Sequence, residues 1–196
     1  MEFSQDVLGK LKIYQNLLIK WQEKINLVSP NTIENAWERH FLDSAQIEKL
    51  LPREAKTLFD LGCGAGFPGL VLAIMNPELD VYLIESDQKK CSFMKAVSRE
   101  TSIKVHIENT RIENFDTDIV PGIITARALA DLPKLFDYCE RWIVLNPALT
   151  LIFPKGQAAD HERNNLQNLW DFECEEAQSV TEPQAKILKF TNVKKR

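Results

Sequence analysis

The run Leu58-Phe59-Asp60-Leu61-Gly62-Cys63-Gly64-Ala65-Gly66-Phe67-Pro68-Gly69 constrains the fold more than any other part of this 196-residue chain. An apolar strand leads into a glycine-rich turn and then into a helix opened by Pro68. Glycine permits a sharp turn and close approach of a ligand, and a helix start supplies N–H groups without intrahelical partners. Four glycines, at 62, 64, 66 and 69, exceed what a tight strand-to-helix turn requires, so the loop reads as a ligand site.

From Thr57 onward, short apolar runs alternate with helical stretches, the pattern of a mainly parallel sheet with helices on both faces. Strands are predicted at 57–61, 81–85, 104–108, 122–125 and 149–153, with helices at 68–75, 87–100, 131–140 and 157–169. The segments 172–179 and 185–190 are predicted to pair as an antiparallel hairpin at the sheet edge, completing a seven-stranded sheet. Ahead of the sheet, Val7, Leu8, Leu11, Tyr14, Leu18, Trp21, Ile25 and Val28 recur at helical spacing until Ser29-Pro30-Asn31 breaks the pattern. A second helix is predicted from Ile33, Ala36, Trp37, His40, Phe41, Ser44 and Ala45, closed by Pro52. The chain is therefore expected to be one domain, a helical extension over 1–52 packed on an α/β core over 53–196.

Composition narrows the class. With 44% hydrophobic and 27% charged residues the chain is a folded protein, and its net charge of -4 argues against coating nucleic acid through bulk electrostatics while leaving room for a local basic face. Cys63, Cys91, Cys139 and Cys174 form no CxxC pair and no metal-ligand spacing with histidine, so reduced thiols and no metal are expected. The acidic, polar beginning does not read as a signal peptide and no run suits a membrane span, so a cytoplasmic protein is expected. No exposed heptad signals a dimer, and a monomer is expected.

Glu85 ends the second strand, where a carboxylate accepts hydrogen bonds from ribose hydroxyls. The ligand should be a nucleoside. Gly64 to Gly69 also satisfies the GxGxxG of dinucleotide sites. Glycines at alternate positions, Asp60 ahead of them and Pro68 at the helix start favour S-adenosylmethionine instead. Asp60 is expected to face the cationic amino-acid end of that cofactor, a place where it would repel a pyrophosphate. After the fourth strand stands Thr125-Ala126-Arg127-Ala128, not the polar-Pro-Pro-aromatic sequence used for exocyclic amines. Neither Cys139 nor Cys174 follows a proline as a pyrimidine-attacking nucleophile would. Guanine N7 is nucleophilic through its own lone pair and requires neither base nor covalent catalyst, which the residues accommodate.

Several blocks then resemble one family in order and spacing: Trp21-Gln22-Glu23-Lys24-Ile25-Asn26-Leu27, Arg39-His40-Phe41-Leu42-Asp43-Ser44, Asp60 through Gly69, Glu85-Ser86-Asp87-Gln88-Lys89-Lys90, Arg111-Ile112-Glu113, Arg127-Ala128 and Pro154-Lys155-Gly156. They resemble the bacterial small-subunit (16S) ribosomal RNA guanine-N7 methyltransferases, also called glucose-inhibited division protein B. The resemblance implies a Rossmann-like class I methyltransferase fold and methylation of a guanosine N7 in the decoding region, on RNA or the 30S particle. It implies S-adenosylmethionine as cofactor and no metal. It also implies that Gly62 and Phe67 contact the cofactor, Glu85 its ribose, and Ile112 with Glu113 its adenine region, with Arg127 beside the methyl group positioning the acceptor. Cys63 stands where the family commonly has serine or threonine, and Ile112 where it has alanine or valine.

Plainer readings stand beside these. His40 lies on an apolar stripe and reads equally as a core histidine or an RNA contact, and Arg39 with Asp43 reads as an intrahelical pair. Lys89, Lys90 and Lys155 lie near strand ends and are the better candidates for phosphate, with Arg39 and His40 also in the RNA-binding set. Cys63 is assigned to packing. Two other functions remain open: a small-molecule methyltransferase, or a non-catalytic assembly factor that retains the cofactor site.

Overall fold

The computed structural model describes residues 2–196. One sheet of seven strands has the order β3-β2-β1-β4-β5-β7-β6. Its strands are β1 (Thr57–Leu61), β2 (Asp80–Glu85), β3 (His106–Asn109), β4 (Ile123–Thr125), β5 (Thr150–Lys155), β6 (Trp170–Gln178) and β7 (Lys186–Lys195). β1 to β5 are parallel, and β7 pairs antiparallel with β5 and β6. The strand order reverses between β1 and β4, which opens a crevice at their carboxyl ends.

Side chains alternate across the sheet as the pleat requires. Leu58, Leu83 and Ile123 enter one core with α1 (Gln5–Gln22), α3 (Gly69–Met75) and α4 (Gln88–Thr101). Phe59, Leu61, Ile84 and Ile124 enter the other with α5 (Leu132–Leu145) and α6 (Ala159–Leu166). This two-sided burial explains why the strands read as continuous apolar runs.

The amino-terminal segment departs from the two predicted helices. Ser4 caps α1, and Leu11, Tyr14 and Leu18 are fully buried on its inner face. The helix stops at Gln22 instead of continuing to Val28 because the Gln22 amide takes over the backbone bonding of the next turn. Its Oε1 accepts from the Leu27 and Val28 N–H groups at 2.9 and 3.0 Å, and its Nε2 donates to the Val28 carbonyl at 2.8 Å. The second predicted helix is a composite: a 3-10 turn at Pro30–Thr32, a π-helical turn at Trp37–Leu42, α2 (Asp43–Ala45) and a 3-10 turn at Gln46–Leu50. Phe41, Ala45 and Ile47 still share a buried face.

Smaller differences have local causes. β3 starts at His106 and not at 104, because α4 closes with Ser102 in the left-handed region and Ser98 Oγ donating to the Ile103 carbonyl at 2.8 Å. α5 runs on to Leu145, carrying Trp142 and Ile143 into the core. The predicted edge hairpin is β6 with β7, whose loop reaches back to the composite helix, where Gln46 Oε1 accepts from the Val180 N–H at 2.9 Å. Among the described residues, no helix is long and apolar enough to cross a membrane.

Candidate active site

At the carboxyl end of the sheet lies a cleft of about 610 Å³, bounded by the glycine loop after β1, Glu85 at the end of β2, the turn at Ile112–Asn114, Arg127 after β4, and the segment from Leu27 to Asp43.

The glycine wall is made largely from backbone. Gly62, Gly64 and Gly66 all have positive φ, and a Cβ on Gly64 would meet no atom within 4 Å, so this backbone faces open cleft. Glu85 braces the loop: its Oε2 accepts from Gly64 N–H at 2.9 Å and its Oε1 from Asp87 N–H at 2.8 Å. Two of the four lone-pair directions of that carboxylate are thereby used, leaving capacity for ligand hydroxyls on the cleft side. Ile112 and Glu113 line the same wall.

Asp60 departs from its expected role. It is fully buried and is absent from the cleft lining; its Oδ2 accepts from the Gly69 N–H at 2.7 Å and its Oδ1 from the Thr125 hydroxyl at 3.0 Å. Burial pushes its carboxyl up to about 7. Asp60 therefore ties the start of α3 to the end of β4 from beneath, using the Gly69 N–H at the helix start. Gly66 also turns inward, where a Cβ would strike Leu70.

The opposite wall centres on Arg127. Its Nη1 donates to Asp43 Oδ2 at 3.0 Å and to the Arg39 carbonyl at 3.2 Å, and its Nη2 lies 3.2 Å from His40 Nδ1. The guanidinium carbon sits 5.1 Å from the centroid of the Phe67 ring, within cation–π range. Arginine has no acceptor, so His40 Nδ1 must accept and the imidazole proton must be on Nε2. That Nε2–H then donates to Thr32 Oγ1 at 2.8 Å, and the threonine hydroxyl donates onward to the Ser29 carbonyl at 2.7 Å. Burial, reinforced by Arg127, lowers the His40 pKa to about 4. The imidazole is a neutral, fully engaged linker.

These placements revise other expectations. Arg39 and Asp43 do not pair with each other: Arg39 bridges to Glu182 at 2.7 Å, and Asp43 bridges to Arg127. Lys155 is removed from the phosphate candidates, since its Nζ contacts Glu162 at 2.6 Å and the Ala130 carbonyl at 2.8 Å with its side chain largely buried. Lys90 lines the cleft, whereas Lys89 lies outside its lining. Arg111, quoted within a motif but given no role, lines it too. Cys63 is buried against Met94, Sγ to Sδ 3.5 Å, and burial holds its thiol far above the ordinary range, which suits packing and not nucleophilic attack.

Three residues take roles that the sequence did not assign to them. Tyr14, read only as part of an apolar stripe, stacks on Phe67 at 5.0 Å and donates its buried hydroxyl to the Ala65 carbonyl at 2.6 Å, fastening α1 to the glycine loop. Thr32 and Asp43 acquire roles only through tertiary placement.

Comparison with known proteins gives the family and the fold class. The family model described as rRNA small subunit methyltransferase G matches residues 7–191. The chain belongs to this family. It is 39% identical over 199 residues to the Ribosomal RNA small subunit methyltransferase G of Ruegeria sp. (strain TM1040), covering 100% of this chain and 95% of the relative. It is 41% identical to that of Rhodospirillum centenum, with 97% and 86% covered. Among solved structures, the Bradyrhizobium japonicum N-methyltransferase NodS in complex with S-adenosyl-L-homocysteine aligns with TM-score 0.58 at 15% identity, covering 90% of this chain and 96% of that one. A ribosomal protein L11 methylase from Lactobacillus delbrueckii aligns with TM-score 0.57 at 17% identity over 76% of each chain. At these identities the structures establish the class I methyltransferase fold, and the family assignment rests on the sequence relatives.

Proposed function

We propose that this chain transfers the methyl group of S-adenosylmethionine to N7 of a guanosine in small-subunit (16S) ribosomal RNA. The observation that carries the reading is one cleft with two unlike walls: open glycine backbone and the Glu85 carboxylate on one side, and Arg127 on the other.

The residues present fit the cofactor. Gly64 faces space that a side chain would fill, Glu85 retains acceptor capacity for ribose hydroxyls, and Ile112 offers an apolar wall for adenine. When bound, S-adenosylmethionine would supply an electrophilic methyl carbon, whose bond to the sulfonium sulfur breaks in line as the bond to the nucleophile forms, the sulfur leaving as a neutral thioether. The protein's part is orientation and electrostatics. Arg127 uses three N–H groups on Asp43, Arg39 and His40, which leaves the Nε–H and one Nη2–H for the acceptor. A donor-only group suits guanine, whose N7 is flanked by the O6 acceptor, and is mismatched to the amino group of adenine. His40 holds both ring nitrogens in hydrogen bonds and does not serve as a base, which agrees with an acceptor that carries no proton at N7.

The rim supports an RNA acceptor. Lys90 and Arg111 border the cleft, with Arg39 beside them in its exposed pair with Glu182, where cations meet phosphate and set register without reading bases. Calorimetry with S-adenosylmethionine, followed by transfer assays on 16S RNA, on 30S particles and on small nucleosides, tests the reading. Binding together with transfer to either RNA form supports it; transfer confined to small molecules refutes it.

A further inference from the structure

Arg127 is held by groups that the sequence places far from it. Asp43 is the main one, and its two oxygens do different things. Oδ2 accepts from Arg127 at 3.0 Å; Oδ1 accepts from the Thr181 hydroxyl at 2.8 Å and from Gln46 Nε2 at 3.0 Å. Gln46 in turn donates to Ser179 Oγ at 3.2 Å and accepts from the Val180 N–H. The loop between β6 and β7 thus fixes Asp43 from behind while Asp43 fixes Arg127 in front. The Asp43–Arg127 pair is mostly sheltered, with side-chain exposures of 17% and 15%, so solvent screens it far less than the exposed Arg39–Glu182 pair. His40 adds the second fixed point and stacks on Phe67 at 5.2 Å, with Arg127 over the same ring.

We propose that Asp43 and His40 are positioning residues for methyl transfer, forming a clamp that holds Arg127 with its two remaining N–H groups directed at the acceptor, and that the β6–β7 loop is the brace of that clamp. This rests on the proposed role of Arg127 in acceptor positioning. The clamp defines the rotamer of the arginine before RNA arrives, so loop ordering and guanidinium alignment are not left to the reaction step. The carboxylate is specifically required at 43. An asparagine keeps the shape but sets an NH₂ against one of the donors Thr181, Gln46 or Arg127, since all of them present hydrogens to it.

The test uses the full chain, S-adenosylmethionine and 30S particles lacking the modification. Asp43→Asn should lower the single-turnover transfer rate by about 100-fold, the scale of a misplaced catalytic group. Cofactor affinity by calorimetry should stay near wild type even though loss of the sheltered pair lowers thermal stability, and Asp43→Glu should recover part of the rate. Thr181→Val should give a smaller loss in the same sense. Imidazole nitrogen spectra at neutral pH should show His40 neutral with its proton on Nε2, and Arg127→Met should release that tautomer. An unchanged rate in Asp43→Asn, or a rate loss matched by equal loss of cofactor affinity, overturns the clamp. So does a His40 protonated on Nδ1. If wild type transfers no methyl group to RNA, the proposed function fails instead, and the imidazole spectra alone decide whether the clamp exists.

Discussion

The two walls of the cleft are built by different means. The glycine wall is local: between Asp60 and Asp87, backbone N–H groups of Gly64, Gly69 and Asp87 donate to carboxylates on neighbouring strand ends. The arginine wall is assembled from a segment before the sheet, the end of β4 and the carboxyl-terminal hairpin loop, joined through side chains. A wall of backbone is specified wherever strand, turn and helix follow each other correctly. A wall of side chains exists only after the whole domain has closed, so its geometry depends on packing far from the chemistry.

The predicted effects separate the two walls. Gly64→Val, which places a branched side chain at φ +58 in open cleft, should eliminate detectable cofactor binding by calorimetry while circular dichroism shows a retained fold. Unaltered affinity would mean that the cofactor does not lie on this wall. Arg127→Ala should reduce the transfer rate by about 100-fold with little change in cofactor affinity. Equal losses in both quantities would move Arg127 to the cofactor wall and erase the contrast. Glu85→Gln should weaken cofactor binding by about tenfold or more, since hydrogen bonds to a charged group contribute about 1.5–3 kcal/mol.

A pH experiment sharpens the other side. The His40 pKa falls on folding from 6.5 to about 4, so neutral His40 is favoured in the folded state. Its contribution to stability is complete above pH 6.5 and is lost as pH falls through about 4. The difference in urea midpoint between wild type and His40→Ala should therefore narrow across that interval; a constant difference would show that the imidazole is not held buried and neutral as described. Asp60 titrates in the opposite sense and is common to both proteins, so it cancels in the comparison. The smallest effect should come from Tyr14→Phe, which leaves the buried Ala65 carbonyl without its partner and should cost about 1–2 kcal/mol in urea denaturation.

The same division governs what could be read in the sequence. The strand positions with the edge hairpin, the glycine loop and Glu85 were legible because each depends on neighbours in the chain. The composite helix over Trp37–Leu50 was not, since α, π and 3-10 turns all bring residues three to five apart onto one face, and the periodicity of Trp37, Phe41 and Ala45 does not distinguish them. Asp60 was legible as a carboxylate beside the loop, but a carboxylate pointing into a cleft and one pointing beneath it look alike until burial is known. Lys155 shows the converse: a lysine at a strand end reads as a phosphate contact, and only the fold reveals Glu162 beside it. Arg39 and Asp43 have ideal spacing for a helical pair, yet each finds another partner, Glu182 and Arg127, from elements distant in the chain.

The central claim is that the glycine wall holds S-adenosylmethionine while the arginine wall presents one guanosine of the small ribosomal subunit to its methyl group. It is tested most directly by incubating the protein with methyl-labelled S-adenosylmethionine and unmodified 30S particles, digesting the RNA to nucleosides and identifying the labelled one. The account predicts 7-methylguanosine in wild type and its near disappearance in Arg127→Ala; label in any other nucleoside, or none in the RNA while the cofactor binds, would contradict it.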